Sequence, residues 1–192
     1  MNSLPLVLAS SSPRRLDLMR EAGLEFEVVA AQVEEEHDER APLDILTRAN
    51  AVLKASWVAD HRPDQWVIGA DTLVAINGKA LGKPADLPEA RRMIRLLAGR
   101  THEVVTAVCL IHKNRDLRHE FLETTRVTFL PLTPEEIDNY LQLINPLDKA
   151  GAYAAQEHGE KIIAKTEGSM TNVIGLPMER LLEELKRAGA LE

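Results

Sequence analysis

The segment Glu103 to Ile111 narrows the fold more than any other. Val104, Val105, Ala107, Val108, Cys109 and Leu110 follow one another almost without a polar break. Successive side chains of an extended chain point to opposite faces. A strand built from these residues therefore carries apolar groups on both faces, and both must be covered. That is the signature of a central strand in a sheet with a layer on each side.

The rest of the chain supplies those layers. Leu6 to Ala9 reads as a short buried strand and Phe26 to Ala31 as a second. Between them Arg14 to Ala22 reads as a helix, with Pro13 at its first position, Ser12 as its cap and Gly23 as its stop. Pro42 to Asp60 reads as a long helix with Leu43, Leu46, Val52 and Leu53 as core contacts. Trp66 to Gly69 is an apolar strand ending at Ala70-Asp71-Thr72, and Leu73 to Ile76 continues extended. Asn77-Gly78 is a hairpin signal, because both residues tolerate positive φ. Pro88 to Ala98 reads as a helix, and Phe121 to Phe129 as a second long strand. Thr133-Pro134-Glu135-Glu136 is a capping box opening a helix to Ile144. Ala150 to Gln156 and Lys161 to Lys165 read as a hairpin, and Pro177 to Ala188 as a terminal amphipathic helix. Alternating strands and helices with several hairpins predict an α/β fold with a mixed sheet. The 192 residues fit a single domain spanning 1–192.

Charge and composition then exclude several classes. With 23 basic and 30 acidic residues the net charge is −7, the wrong sign for bulk nucleic-acid binding. Two Trp, two Tyr and three Phe are too few for stacking along a single strand. No apolar run is long enough to predict a membrane span. Cys109 stands alone, so no internal disulfide forms, and the histidines lack the spacing of a zinc site. A cytoplasmic protein is the expectation.

Six segments are candidates for chemistry. Ser10-Ser11-Ser12-Pro13-Arg14-Arg15 joins a strand to a helix, where free N–H groups, hydroxyls and two guanidinium groups suit an anion. The alternative is a capped helix with solvated arginines. Gly69-Ala70-Asp71-Thr72 puts a carboxylate at a strand end, where it can ligate Mg2+, take a proton from water, or simply cap a turn. Glu34-Glu35-Glu36 is either a solvated run or a source of a metal ligand. Leu81-Gly82-Lys83-Pro84 offers Lys83 to a phosphate, or only a surface turn. Asp148 to Gln156 offers small residues for a base or sugar, with Gln156 as an amide reader, or only tight packing around Tyr153. Gly168 to Pro177 offers glycines and hydroxyls, or only a loop and a cap. No P-loop and no Gly-x-Ser-x-Gly elbow is present.

In order along the chain stand Leu-Ala-Ser-Ser-Ser-Pro-Arg-Arg at 8–15, Val-Glu-Glu at 33–35, Lys54-Ala55, Gly-Ala-Asp-Thr at 69–72, Leu-Gly-Lys-Pro at 81–84, Asp-Lys-Ala-Gly-Ala-Tyr at 148–153 and Val-Ile-Gly-Leu-Pro at 173–177. Each is common, but the ordered set resembles the Maf family of nucleoside triphosphate pyrophosphatases from Leu6 to Leu185. The resemblance implies a Maf-like, ITPase-like sheet with a nucleotide cleft. It implies hydrolysis of a nucleoside triphosphate to the monophosphate and pyrophosphate with a divalent cation, Mg or Mn. By the same resemblance Asp71 is the catalytic base, and Glu35, one position from Glu34, joins Asp71 at the metal. Ser10, Arg15, Lys54 and Lys83 hold phosphates. Arg14, Thr72 and Gln156 match the markers of the branch acting on dTTP and UTP, as against the branch acting on 7-methyl-GTP. The family's link to septum inhibition keeps a slow nucleotide-binding regulator of division as an alternative, and a phosphotransferase using the same anion cleft is another. The sequence leaves a homodimer open.

Overall fold

The structure, a computed structural model, describes residues 5–36 and 41–191. The elements run β1 (Leu6–Leu8), α1 (Pro13–Glu21), β2 (Phe26–Val28), α2 (Leu43–His61), β3 (Val67–Ile76), β4 (Lys79–Leu81), α3 (Leu87–Leu97), β5 (Thr101–His112), β6 (Leu117–Phe129), α4 (Pro134–Leu141), β7 (Ile163–Glu167), α5 (Met170–Ile174) and α6 (Met178–Arg187). The strands form one mixed sheet in the order β2-β1-β3-β5-β6-β7, with β4 paired to β3. β1 runs parallel to β2 and β3, and the remaining pairs are antiparallel. Among the described residues no helix is long and apolar enough to cross a membrane.

The segment that set the expectation is the sheet's centre. β5 lies between β3 and β6, and alternate residues serve opposite layers. Val108 and Leu110 pack with Leu18, Met19, Leu181 and Leu185 of α1 and α6. Ala107 and Cys109 pack with Ala51, Ala55 and Val58 of α2. A third cluster closes the far end, where α3 and α4 meet Val104, Phe129 and Tyr153.

Several local readings hold. Asn77 (φ 52°) and Gly78 (φ 74°) form the β3–β4 turn. Gly23 ends α1 in a Schellman pair, its N–H donating to Arg20 and that of Leu24 to Met19. Thr133 and Glu136 make the reciprocal capping box of α4.

Four readings change. The buried face of α2 is Leu46, Thr47, Asn50, Ala51, Lys54, Ala55, Val58 and Ala59, while Leu43, Val52 and Leu53 are only half-buried. Small residues win because the helix sits close to the sheet: a Cβ on Gly69 would lie 2.5 Å from the Ala51 carbonyl oxygen. Ser12 occupies the cap position of α1, but its side chain makes no capping bond. Asp71 is not at a strand end, because β3 is continuous from Val67 to Ile76. Finally, 150–156 is not a strand. Gly151 takes φ 70° against Val74, and Tyr140 Oη accepts from the Ala154 N–H at 3.0 Å and donates to its carbonyl at 3.1 Å. A side chain thus satisfies backbone groups that a partner strand would have taken.

Candidate active site

The cleft opens where the sheet loses a strand. β1 pairs with β3 only as far as Leu8 opposite Ile68, and β4 joins β3 only from Val74. Between them one edge of β3 has no strand beside it, and Asp71 and Thr72 stand in that gap. A cleft of about 1110 Å3 fills it, and Ser10, Arg14, Arg15, Glu35, Lys54, Asp71, Thr72, Lys83 and Gln156 all line it. Six separate stretches of chain therefore converge on one site. Glu34 is exposed and does not line the cleft, whereas Glu35 does.

Its floor is a three-residue ionic cluster. Lys54, buried on α2, donates from Nζ to Asp71 Oδ1 at 2.8 Å and lies 3.0 Å from Glu35 Oε1. Burial opposes ionisation of Glu35, but Lys54, with Lys83 and Arg15 beyond it, outweighs that and holds its carboxyl below the ordinary value. Asp71 is 6% exposed, and its second oxygen, Oδ2, is buried without a hydrogen-bond partner. A buried carboxylate oxygen left unpaired is costly unless something in the working site meets it.

Arg15 and Thr72 form the side wall. Arg15 is buried and donates from Nε to the Gly175 carbonyl at 2.8 Å, from Nη1 to Ser10 Oγ at 3.3 Å and from Nη2 to Thr72 Oγ1 at 3.0 Å. Burial lowers its pKa while Asp71 pulls it back up, and a guanidinium remains charged through such a shift. Thr72 Oγ1 also lies 2.9 Å from Thr106 Oγ1 and 3.3 Å from the Gly175 carbonyl. Arg15 thus ties α1, β3 and the turn after α5 together. At the rim, Arg14 donates to the Asp148 carbonyl at 3.5 Å, and Lys83 and Gln156 are exposed.

Among the described residues no three His, Cys, Asp or Glu side chains converge as a metal site. Two carboxylates do converge, Asp71 and Glu35, and Asp71 Oδ2 is free to ligate. Mg2+ is commonly held by one or two carboxylates and completed by substrate phosphates and water. The donor set fits an ion that is shared with a phosphate ligand and does not fit a closed all-protein cage.

The sequence reading missed two groups, Asn50 and Thr106, and gave Asn172 no role of its own within the candidate segment Gly168 to Pro177; all three are buried polar residues at or behind the cleft. Asn172 donates to the Val104 carbonyl at 3.0 Å and to Thr125 Oγ1 at 2.9 Å, fixing α5 on the sheet. The available signal was a polar residue at a position that the helix or strand period turns inward. For Asn50 that position is one turn ahead of Lys54.

A family profile described as Maf-like protein matches residues 5–188. The chain belongs to the Maf family. It is 43% identical over 186 residues to the dTTP/UTP pyrophosphatase of Bacillus cereus (strain ATCC 10987 / NRS 248), covering 97% of this chain and 91% of that protein. It is also 43% identical over 182 residues to the dTTP/UTP pyrophosphatase of Bacillus anthracis (strain CDC 684 / NRRL 3495), covering 95% and 94%. Among solved structures, the Staphylococcus aureus Ham1 protein aligns with 81% of this chain and 89% of its own at 16% identity and a TM-score of 0.47. That superposition is loose, and the mixed α/β architecture rests on the sheet itself. The aligned extent makes the nucleotide motifs part of a whole-chain Maf match.

Proposed function

We propose that this Maf-family chain hydrolyses nucleoside triphosphates to the monophosphate and pyrophosphate, with dTTP and UTP as preferred substrates. One observation carries the reading: Lys54 holds Asp71 and Glu35 together on the floor of a cleft of nucleotide size, and Asp71 keeps one oxygen unpaired. The relatives named dTTP/UTP pyrophosphatase support the reaction type, and Arg14, Thr72 and Gln156 support the pyrimidine preference.

A triphosphate is highly anionic, and this chain carries a net charge of −7. Binding therefore needs cations gathered locally, and Arg14, Arg15, Lys54 and Lys83 gather in the cleft. Arg14 and Lys83 at the rim meet the phosphates, while Arg15, mostly committed to the wall, adds field and its remaining N–H donors. Water attacks the α-phosphorus as Asp71 accepts its proton. The bond from the α-phosphorus to the bridging oxygen breaks, and pyrophosphate leaves. Lys54 keeps Asp71 aimed, and its charge lies near the oxygens on which negative charge grows. Asp71 and Glu35 would hold a divalent cation together with the phosphates, and that ion would supply charge neutralisation and orientation. Gln156 at the rim presents an amide to the base.

The deciding experiment is a panel of dTTP, UTP, CTP, ATP, GTP and 7-methyl-GTP with Mg2+ or Mn2+, with products separated by chromatography. Monophosphate and pyrophosphate from dTTP and UTP support the reading. Diphosphate and orthophosphate would overturn the site of attack. Binding without turnover would favour a regulator.

A further inference from the structure

Asn50 sits on α2 one turn ahead of Lys54, and it is 2% exposed. Its Oδ1 accepts the Glu36 N–H at 2.8 Å, and its Nδ2 donates to the Glu36 carbonyl at 3.0 Å. One amide side chain therefore pairs with both backbone groups of one residue, as a neighbouring strand would. Only Asn or Gln carries a donor and an acceptor fixed in one plane in this way. The residue paired is the neighbour of Glu35, whose Oε1 lies 3.0 Å from Lys54 Nζ.

The segment needs such an anchor. Beyond Val29, whose N–H still donates to the Leu8 carbonyl at 3.1 Å, residues 30–36 lie in neither helix nor strand, and no ladder of backbone bonds fixes them among the described residues. A single hydrogen bond would leave the chain free to pivot about it. Two bonds to one residue fix its orientation, and with it the direction in which the preceding side chain leaves the backbone. Asn in a helix interior is a poor helix former, and burying its amide is unfavourable unless both ends are bonded. Here both ends are bonded, and both bonds go to the acidic loop.

We infer that Asn50 is a positioning residue: by clamping Glu36 it sets Glu35 beside Lys54, and so assembles the two-carboxylate floor without touching the reacting atoms. This rests on the function proposed above. Asn50 and Lys54 then act as one unit on one helix face, the first holding the backbone of the acidic loop and the second its carboxylate.

The test is a double-mutant cycle in kcat/KM with Asn50→Leu, Glu35→Gln and the pair, alongside thermal unfolding. Loss of an outer partner of a metal-site ligand commonly reduces affinity or activity by about 10–100-fold. Asn50→Leu should fall in that range, and the pair should be no worse than Glu35→Gln alone within about twofold, since residues acting through one another are non-additive. Penalties that multiply would overturn the inference, because a merely structural Asn50 weakens the enzyme independently of Glu35. Should Asn50→Leu fail to fold, Asn50→Asp takes its place; it retains an acceptor for the Glu36 N–H and loses the donor. Mn2+ titrated calorimetrically with a non-hydrolysable dTTP analogue gives a second readout. If the wild type does not hydrolyse triphosphates, the proposed reaction fails and this titration alone judges Asn50. Mn2+ bound at least about tenfold more weakly by the variant upholds the clamp. Equal binding, or none in the wild type, overturns it.

Discussion

Lys54 Nζ donates to Asp71 Oδ1 at 2.8 Å, while the other oxygen of the same carboxylate is buried with no hydrogen-bond partner. The carboxylate is thus fixed from one side and open on the other. A fixed orientation and an unsatisfied acceptor are what a general base or a metal ligand requires, and a turn cap requires neither. Helix α2 supplies the cation and β3 the anion, so two rigid elements set the distance.

Asp71→Asn should lower kcat by about 10²–10⁴-fold, the range general-base catalysis contributes. Asn keeps the shape and can still accept from Lys54, so the folded state should persist by circular dichroism. Binding of dTTP should weaken less than turnover, because Arg14 and Lys83 are untouched. Near wild-type turnover would remove Asp71 as the base and turn attention to Glu35.

Lys54→Met should be at least as damaging. It leaves Asp71 and Glu35 facing one another with no cation between them, and it removes charge stabilisation worth on the order of 10²–10³ in rate. Breaking a buried ion pair costs about 3–5 kcal/mol. The Lys54–Asp71 pair is of that kind, with side chains 11% and 8% exposed, whereas Glu35, 41% exposed, adds less. Urea unfolding and kcat on one preparation separate the effects. Unchanged kcat would disprove the role given to this lysine.

Much of this was legible from the chain. The doubly apolar run at 103–111 gave the central strand because nothing else explains apolar groups on successive positions. The Asn77-Gly78 turn and the Thr133 capping box are local chemistry, decided by the residues themselves. The site residues came from the ordered motifs and converge in one cleft. What was not legible depends on distant partners. That β3 runs through Asp71 is decided by β5, which pairs with it from Val67 to Ala75. That 150–156 is a loop is decided by Tyr140, more than ten positions upstream. The small-residue face of α2 answers to Gly69 on another element.

Turnover should require a divalent cation. The two carboxylates that meet in the cleft share one lysine, and no third ligand joins them among the described residues. The ion should therefore be weakly held without nucleotide and bound with it. Chelation should abolish hydrolysis, and added Mg2+ or Mn2+ should restore it. Dialysis alone should suffice to remove the metal; full activity in excess chelator would exclude it from the reaction.

Thr72→Val should affect selectivity and stability together. The hydroxyl accepts from Arg15 and bonds Thr106, so an isosteric methyl leaves both without that partner. Each stranded buried group costs about 1–3 kcal/mol. Arg15 would lose one of its three anchors, and the wall beside the nucleotide would loosen. KM for dTTP and UTP should rise more than KM for purine triphosphates. A uniform rise across the panel would show that Thr72 supports the fold and does not read the substrate.

Acid should destabilise the protein before its carboxylates protonate, and His102 is the reason. Its Nε2 lies 2.9 Å from Tyr153 Oη, its Nδ1 is buried without a partner, and the rings of Phe129 and Tyr153 meet it edge-on. Burial lowers its pKa from 6.5 to about 4. The folded state therefore keeps His102 neutral at pH values where the unfolded chain takes up a proton. A depressed histidine gives stability that is complete above about pH 6.5, declines as pH falls toward about 4, and is flat below. The full span is worth about 3 kcal/mol, at up to about 1.4 kcal/mol per pH unit. His112, also lowered by burial, adds in the same direction. Carboxylates held low, such as Glu35 and Glu136, lose their contribution only as pH drops below their ordinary values, in a more acid window. Between pH 6.5 and 5 the histidines should dominate. Urea midpoints should fall steadily over that interval in the wild type. In His102→Gln, which retains a donor and acceptor for Tyr153 but cannot be protonated, the slope should shrink to the part due to His112. Equal slopes in the two proteins would assign the acid sensitivity elsewhere.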